Sequence, residues 1–199
     1  MPMTNEPVYI VVDIESDGPA PGLHSMLSIA AVATTADNEK DSFYEKIAPL
    51  PGMMPDTDTH EWWQAHPDAL NEVRTDQREA LDVTTRFVAW VKLQAPEPIF
   101  VANPIALDYA FVGWYMQNLI GENPFIGAKN TFRTLDIRSY IAGKFGLDFS
   151  AAGRRSYPAE LAAIIGTHNH RAIDDAKGYA ALLRALLNWD DKPNPYRAK

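Results

Sequence analysis

The chain has no cysteine, which excludes disulfides and thiolate metal sites. No apolar run approaches the ~20 residues that a membrane helix needs. The first residues, MPMTNEPVYIVV, lack the basic stretch and separate apolar segment of a secretory signal, so the cytoplasm is the expected location and no membrane partner is expected. Positive charge is scarce: 18 Lys and Arg stand against 26 Asp and Glu, a formal net charge of −8. That balance argues against tight electrostatic binding to long duplexes. Nucleic acid is still admitted, because acids gathered in one pocket call for divalent cations, and cations attract phosphate. Internal repeats, low-complexity tracts and long linkers are also missing. What is present is 199 residues, 46% of them hydrophobic, which is the composition of one globular domain with a core over about 8–189 and short tails.

The order of elements is informative. Val8 to Ile14, Leu27 to Thr35 and Asp41 to Ile47 read as three leading strands. HEWWQAH and the Pro-started PDALNEV read as short helices, and 77–93 as a longer one with Leu81, Thr84, Phe87, Val88 and Val91 on one side. PIFVA is a fourth strand running through Asn103-Pro104 into a helix, IALDYAFVGWYMQNL. LDIRSYIAGKF, with Asp136 as its cap, PAELAAII and Ile173 to Leu187 complete the helices. Three consecutive strands followed by mixed strands and helices predict an α/β domain with a mixed sheet flanked by helices.

The first strand ends in VVDIESDGP, where two carboxylates interrupt a buried-strand pattern. Side chains two apart in a strand share a face, so Asp13 and Glu15 point the same way, within about 7 Å of each other. Burying such a pair without protons or a cation costs several kcal/mol. An oxygen-rich D-x-E is a seat for Mg²⁺ or Mn²⁺, or else a solvated strand end. HRAIDDA, His170 to Ala176, opens the last helix with two acids in its first turn, where the helix dipole favours them. Asp175 could instead reach a metal while His170 stays neutral, poised to take a proton from water. Asp108 is the only acid between Glu97 and Glu122, in an otherwise apolar helix; it caps something or faces a site.

Together, D-x-E on the first strand, Asp on a central helix and H-x4-D at the last helix resemble the DEDDh branch of the DnaQ-like 3′-5′ exonucleases, which have a ribonuclease H-like fold. The place that would hold Tyr in the tyrosine branch is Arg171. The stretches DIESDGPAPGLHSML, EWWQAHPDAL, PIALDYAFVGWYM and HNHRAIDDA look like a bacterial group of stand-alone exonuclease-like proteins. The resemblance implies two divalent cations, Mg²⁺ or Mn²⁺, held by Asp13, Glu15, Asp108 and Asp175, with His170 as general base. It implies release of nucleoside 5′-monophosphates from the 3′ end of single-stranded or short DNA or RNA. A catalytically silent nucleic-acid-binding module of the same fold and a phosphodiesterase for small nucleotides are the alternatives. A homodimer is left open.

Further residues enter as candidate substrate contacts. Ser16 stands where the family usually has Thr, Met26 or Leu27 could wedge against a terminal base, and Arg154 and Arg155 form the one small basic spot with an aromatic neighbour. His168 reads as a solvated loop histidine. Adjacent Trp62 and Trp63 point about 100° apart on a helix, so at most one faces substrate.

Overall fold

The three leading β-rich runs form strands β1 (Tyr9–Ser16), β2 (Met26–Thr34) and β3 (Glu39–Lys46), paired antiparallel in turn. Two more, β4 (Ile99–Ala102) and β5 (Thr134–Asp136), add in parallel beyond β1, giving one mixed sheet in the order β3-β2-β1-β4-β5. These features come from a computed structural model that describes residues 6–166, 169–190 and 192–197. His168 lies outside the described residues.

Helices α1 (Thr57–Gln64), α2 (Pro67–Arg74), α3 (Ala80–Gln94), α4 (Ile105–Tyr115), α5 (Ile137–Phe145), α6 (Ala159–Ile165) and α7 (Ala172–Leu187) fill the intervals. α1 starts ahead of HEWWQAH because the Asp56 carboxylate accepts the Thr59 N–H at 3.0 Å, satisfying an orphan donor of the first turn. In α3 the buried side is Ala80, Val83, Thr84, Phe87, Val88 and Val91, whereas Leu81, expected inside, is 55% exposed. Leu135, expected at the start of a helix, belongs to β5 with the capping Asp136, and at three residues β5 is too short to show a strand period. No described helix is long and apolar enough to cross a membrane.

Alternation along β1 divides the interior. Ile10, Val12 and Ile14 pack on the face covered by α3 and α4, and Val11 joins the face covered by α5, α6 and α7. Asp13 and Glu15 share the phase of Val11 and therefore lie on the α7 side. β1 is also longer than its parallel partner: only Tyr9, Ile10 and Val11 pair with β4. Beyond Val11 the β4-facing edge of β1 has no strand beside it, because the chain leaves the sheet after Ala102 and turns into α4.

Asp136, at the end of β5, fixes two of these helices. One of its oxygens caps α5 by accepting Ser139 N–H at 2.6 Å, as expected, and the other accepts Ile105 N–H, at the start of α4, at 2.9 Å. Asp136→Ala removes both acceptors and should lower the unfolding free energy by about 1–3 kcal/mol. Asp136→Asn keeps an acceptor oxygen and should cost less. Chemical denaturation of the two variants checks this; equal losses would show that the hydrogen bonds are not the source.

Candidate active site

The site grows from the unpaired edge of β1. N–H groups alternate between the two edges of a strand, and Ile99 donates to Val8 O at 3.0 Å, so the even residues of β1 face β4. At Ile14 that edge has outrun β4, and the N–H donates instead to Asp108 Oδ1 at 3.0 Å. A carboxylate from α4 thus takes the place of a missing strand, which brings Asp108, buried at 6% exposure, to the end of β1 beside Asp13. Of the two sequence readings of Asp108, capping and facing a site, it satisfies a backbone donor and still lies among the acids.

From the other side, α7 lies on the same sheet face as Asp13 and Glu15 and presents Asp175, 1% exposed, from its first turn. Arg154 meets it: Nη1 donates to Asp175 Oδ1 at 3.0 Å and to the Tyr179 hydroxyl at 3.1 Å. Asp174, next along, faces outward and accepts from Asn169 Nδ2 at 2.8 Å.

The acids feel one another. The Asp13 carboxyl is held well above the usual range first by burial, then by the charges of Asp108, Glu15 and Asp175, with Arg154 acting in the opposite direction. Glu15 is raised by burial and by Asp175, Asp108 and Glu72. Asp108 is pushed up to about 7 by burial, against the pull of the Ile14 N–H. These shifts describe a pocket short of positive charge. Its donors are all carboxylate oxygens from β1, α4 and α7, the set that hard divalent cations accept. As the side chains stand, with Asp175 in the grip of Arg154 and Asp108 on Ile14, no group of three or more described His, Asp or Glu residues is arranged to hold an ion. The chemistry of the donors fits Mg²⁺ or Mn²⁺, and the excess negative charge is what such an ion neutralises.

His170 sits at the entrance to α7 in a left-handed conformation, φ 59°, which few non-glycine residues adopt. Its ring meets Trp62 edge-on at 4.6 Å and His66 at 5.3 Å, and Trp62 and His66 stack at 4.1 Å. His66 Nδ1 lies 2.8 Å from Trp62 O. The two tryptophans do diverge: Trp62 turns to His170, and buried Trp63 donates its indole N–H to Ser16 O at 2.9 Å. Sequence reasoning missed Glu72. It accepts from the Tyr44 hydroxyl at 2.7 Å and pairs with Lys46 and Arg171, each at 3.7 Å, beside the turn that carries His170. Nothing in the local sequence of α2 distinguishes it from a solvated acid.

The loop after β1 is held from within. Asp17 accepts Ser25 N–H at 2.5 Å while its own N–H donates to Ser25 O at 3.0 Å, and Ser16 Oγ donates to Gly18 O at 2.8 Å. Met26 and Leu27 are interior at 2% and 5% exposure, Met26 with its N–H on the Tyr115 hydroxyl at 2.8 Å. The apolar side chain this loop leaves at the surface is Leu23, 67% exposed. Arg155 is exposed in its loop.

The chain has counterparts among known proteins. A curated relative, the 3′-5′ DNA exonuclease Cap18 of Escherichia coli, is 27% identical over 198 residues, covering 95% of this chain and 96% of that one. Among solved structures, a 3′-exonuclease in 3′-end specific recognition of a histone mRNA stem-loop superposes with a TM-score of 0.68 at 14% identity, over 92% of this chain and 65% of that one. The nuclease domain of 3′hExo, a DEDDh family member bound to rAMP, gives 0.67 at 11% identity, over 98% of this chain and 99% of that one. At these identities the two structures show the shared ribonuclease H-like fold, mixed sheet and flanking helices included. The 3′-5′ exoribonuclease Rv2179c-like domain matches residues 8–187, and the chain therefore belongs to that family.

Proposed function

We propose that the protein is a metal-dependent exonuclease that removes nucleotides from the 3′ end of single-stranded or short nucleic acid, DNA or RNA, as nucleoside 5′-monophosphates. One observation carries the reading: carboxylates from three separate elements, Asp13 and Glu15 on β1, Asp108 on α4 and Asp175 on α7, are gathered at the end of β1, where Asp108 accepts the Ile14 N–H and the charges of Asp108 and Asp175 bear on both Asp13 and Glu15. Folding accepts such crowding where function requires it. The DNA exonuclease Cap18 and the exoribonuclease domain that the chain matches support the class, and their difference in sugar leaves both DNA and RNA within the proposal.

Two divalent cations, Mg²⁺ or Mn²⁺, held by Asp13, Glu15, Asp108 and Asp175 would supply the charge that opposes the acids, polarises the scissile phosphate and acidifies a water. The remaining work falls to the chain itself. A ring nitrogen of His170 takes the proton of the attacking water, so the imidazole must enter the reaction neutral. The water oxygen bonds to phosphorus, the bond to the 3′ oxygen breaks, and that oxygen leaves as a new 3′ hydroxyl after gaining a proton. Trp62 and His66 pack against the imidazole, and Arg171, next in the chain, pairs with Glu72. Ser16 and the exposed Arg155 are the residues proposed to contact the substrate backbone. The excess of acids over bases favours free ends over long duplex tracts.

Incubation with matched RNA, single-stranded DNA and duplex oligomers in Mn²⁺, with products resolved by length, should show stepwise shortening and mononucleotide release; intact oligomers in every case would refute the reading. Asp13→Asn should abolish turnover while raising the metal-free melting temperature, because it removes a buried like charge. His170→Ala should lower kcat by at least ~10²-fold.

The raised carboxyls also set a stability profile. The folded state holds protons that the unfolded chain has lost, so the stabilisation is complete below the unfolded carboxyl range, near pH 4, and is lost as pH rises through about 7 at Asp108. In EDTA the melting temperature should fall between roughly pH 5 and pH 8. Asp108→Asn should flatten that fall, and saturating Mn²⁺ should abolish it. A melting temperature that climbs over this window in EDTA would contradict the site electrostatics.

A further inference from the structure

Asp175, 1% exposed, is the most deeply buried of the four acids, and a cation of the protein already holds it. Among the described residues the Arg154 guanidinium donates to Asp175 Oδ1 at 3.0 Å and the Tyr179 hydroxyl at 3.1 Å through Nη1, and to Gly166 O at 3.4 Å through Nη2. It also lies over the Tyr179 ring, 5.5 Å from its centre. Tyr179 is one turn beyond Asp175 on α7, so the aromatic face offers the guanidinium a second seat close to the first. Arg154 is not anchored in a long element. It opens a three-residue 3-10 turn, Arg154–Ser156, that follows another, Phe149–Ala152, across Gly153, and its side chain is 27% exposed, which leaves a way out to solvent.

We propose that Arg154 is the resident counter-ion of the carboxylate centre: it holds Asp175 while no divalent ion is bound and releases that oxygen when one arrives. This rests on the metal-binding reading given above. A buried carboxylate must have a charged or hydrogen-bonding partner. A guanidinium and a divalent cation on the same carboxylate repel each other, so the two compete for Asp175. Arg154 thereby keeps α7 and the sheet assembled in the metal-free protein, and in doing so it lowers the apparent affinity of the centre for its ion, because only the fraction with Asp175 released is competent to bind. It is a positioning residue, and metal entry is coupled to its movement toward Tyr179 and solvent.

The test uses the full chain and Mn²⁺ alone, without nucleic acid, reading free Mn²⁺ by electron paramagnetic resonance and melting temperature in EDTA. Arg154→Met should bind Mn²⁺ about tenfold more tightly than the wild type, melt at a lower temperature in EDTA, and lose that deficit at saturating Mn²⁺. Arg155→Met removes the same charge from the same loop without touching Asp175, and should leave Mn²⁺ affinity within about twofold, since an exposed charge is screened. Should Arg154→Met fail to fold without metal, Arg154→Lys, which keeps the charge but cannot reach Asp175 and Tyr179 together, should show a tightening of the same sign and smaller size. Unchanged or weaker Mn²⁺ binding in the Arg154 variants, or equal tightening in Arg155→Met, overturns the role of Arg154 and leaves the metal centre standing. Absence of Mn²⁺ binding in folded wild type and variants alike overturns both.

Discussion

Repulsion among buried carboxylates organises this protein. Asp13, Glu15 and Asp108 all hold their protons more tightly than free acids do, chiefly because burial withdraws water, and at Asp13 and Glu15 also because each sits in the field of neighbouring acids. Such a cluster is unfavourable for folding on its own terms. The surrounding structure tolerates it by giving individual oxygens specific donors, the Ile14 N–H for Asp108 and the Arg154 guanidinium for Asp175.

Strand length is what gathers the acids. β4 pairs with only the first three residues of β1, so the second half of β1 projects past its neighbour and exposes backbone donors on that edge. The helix that follows β4 fills the gap with a side chain, and Asp136 from the next strand pins the start of that helix. A longer β4 would pair Ile14 with a backbone carbonyl and leave Asp108 no reason to be there. The same construction puts the site at the end of the sheet, where α7 can approach from the Val11 face.

Around His170 the protein uses packing and charge together. The left-handed turn there is bordered by the Trp62 and His66 rings and by the pairing of Arg171 with Glu72. α1 and α2, which look like minor connecting helices, therefore furnish the setting of the general base in the proposed reaction. Their contribution is to orientation, which decides whether a base meets its proton.

The local patterns of the chain determined a good part of this. β-branched runs and alternation marked β1 to β4, apolar spacing marked the helices, and the order of D-x-E, Asp and H-x4-D marked the family, because strand and helix periods and residue types are properties of neighbours along the chain. β5 escaped because three residues carry no period, and Leu81 was misplaced because two adjacent helix positions both satisfy an apolar stripe. Tertiary structure alone decided the rest. That Met26 and Leu27 turn inward, that Arg154 reaches Asp175 across 21 positions, and that Glu72 and His66 border the turn of His170 all depend on which elements lie side by side. Long-range contact is a matter of sheet order and strand length, and no short window of residues encodes either.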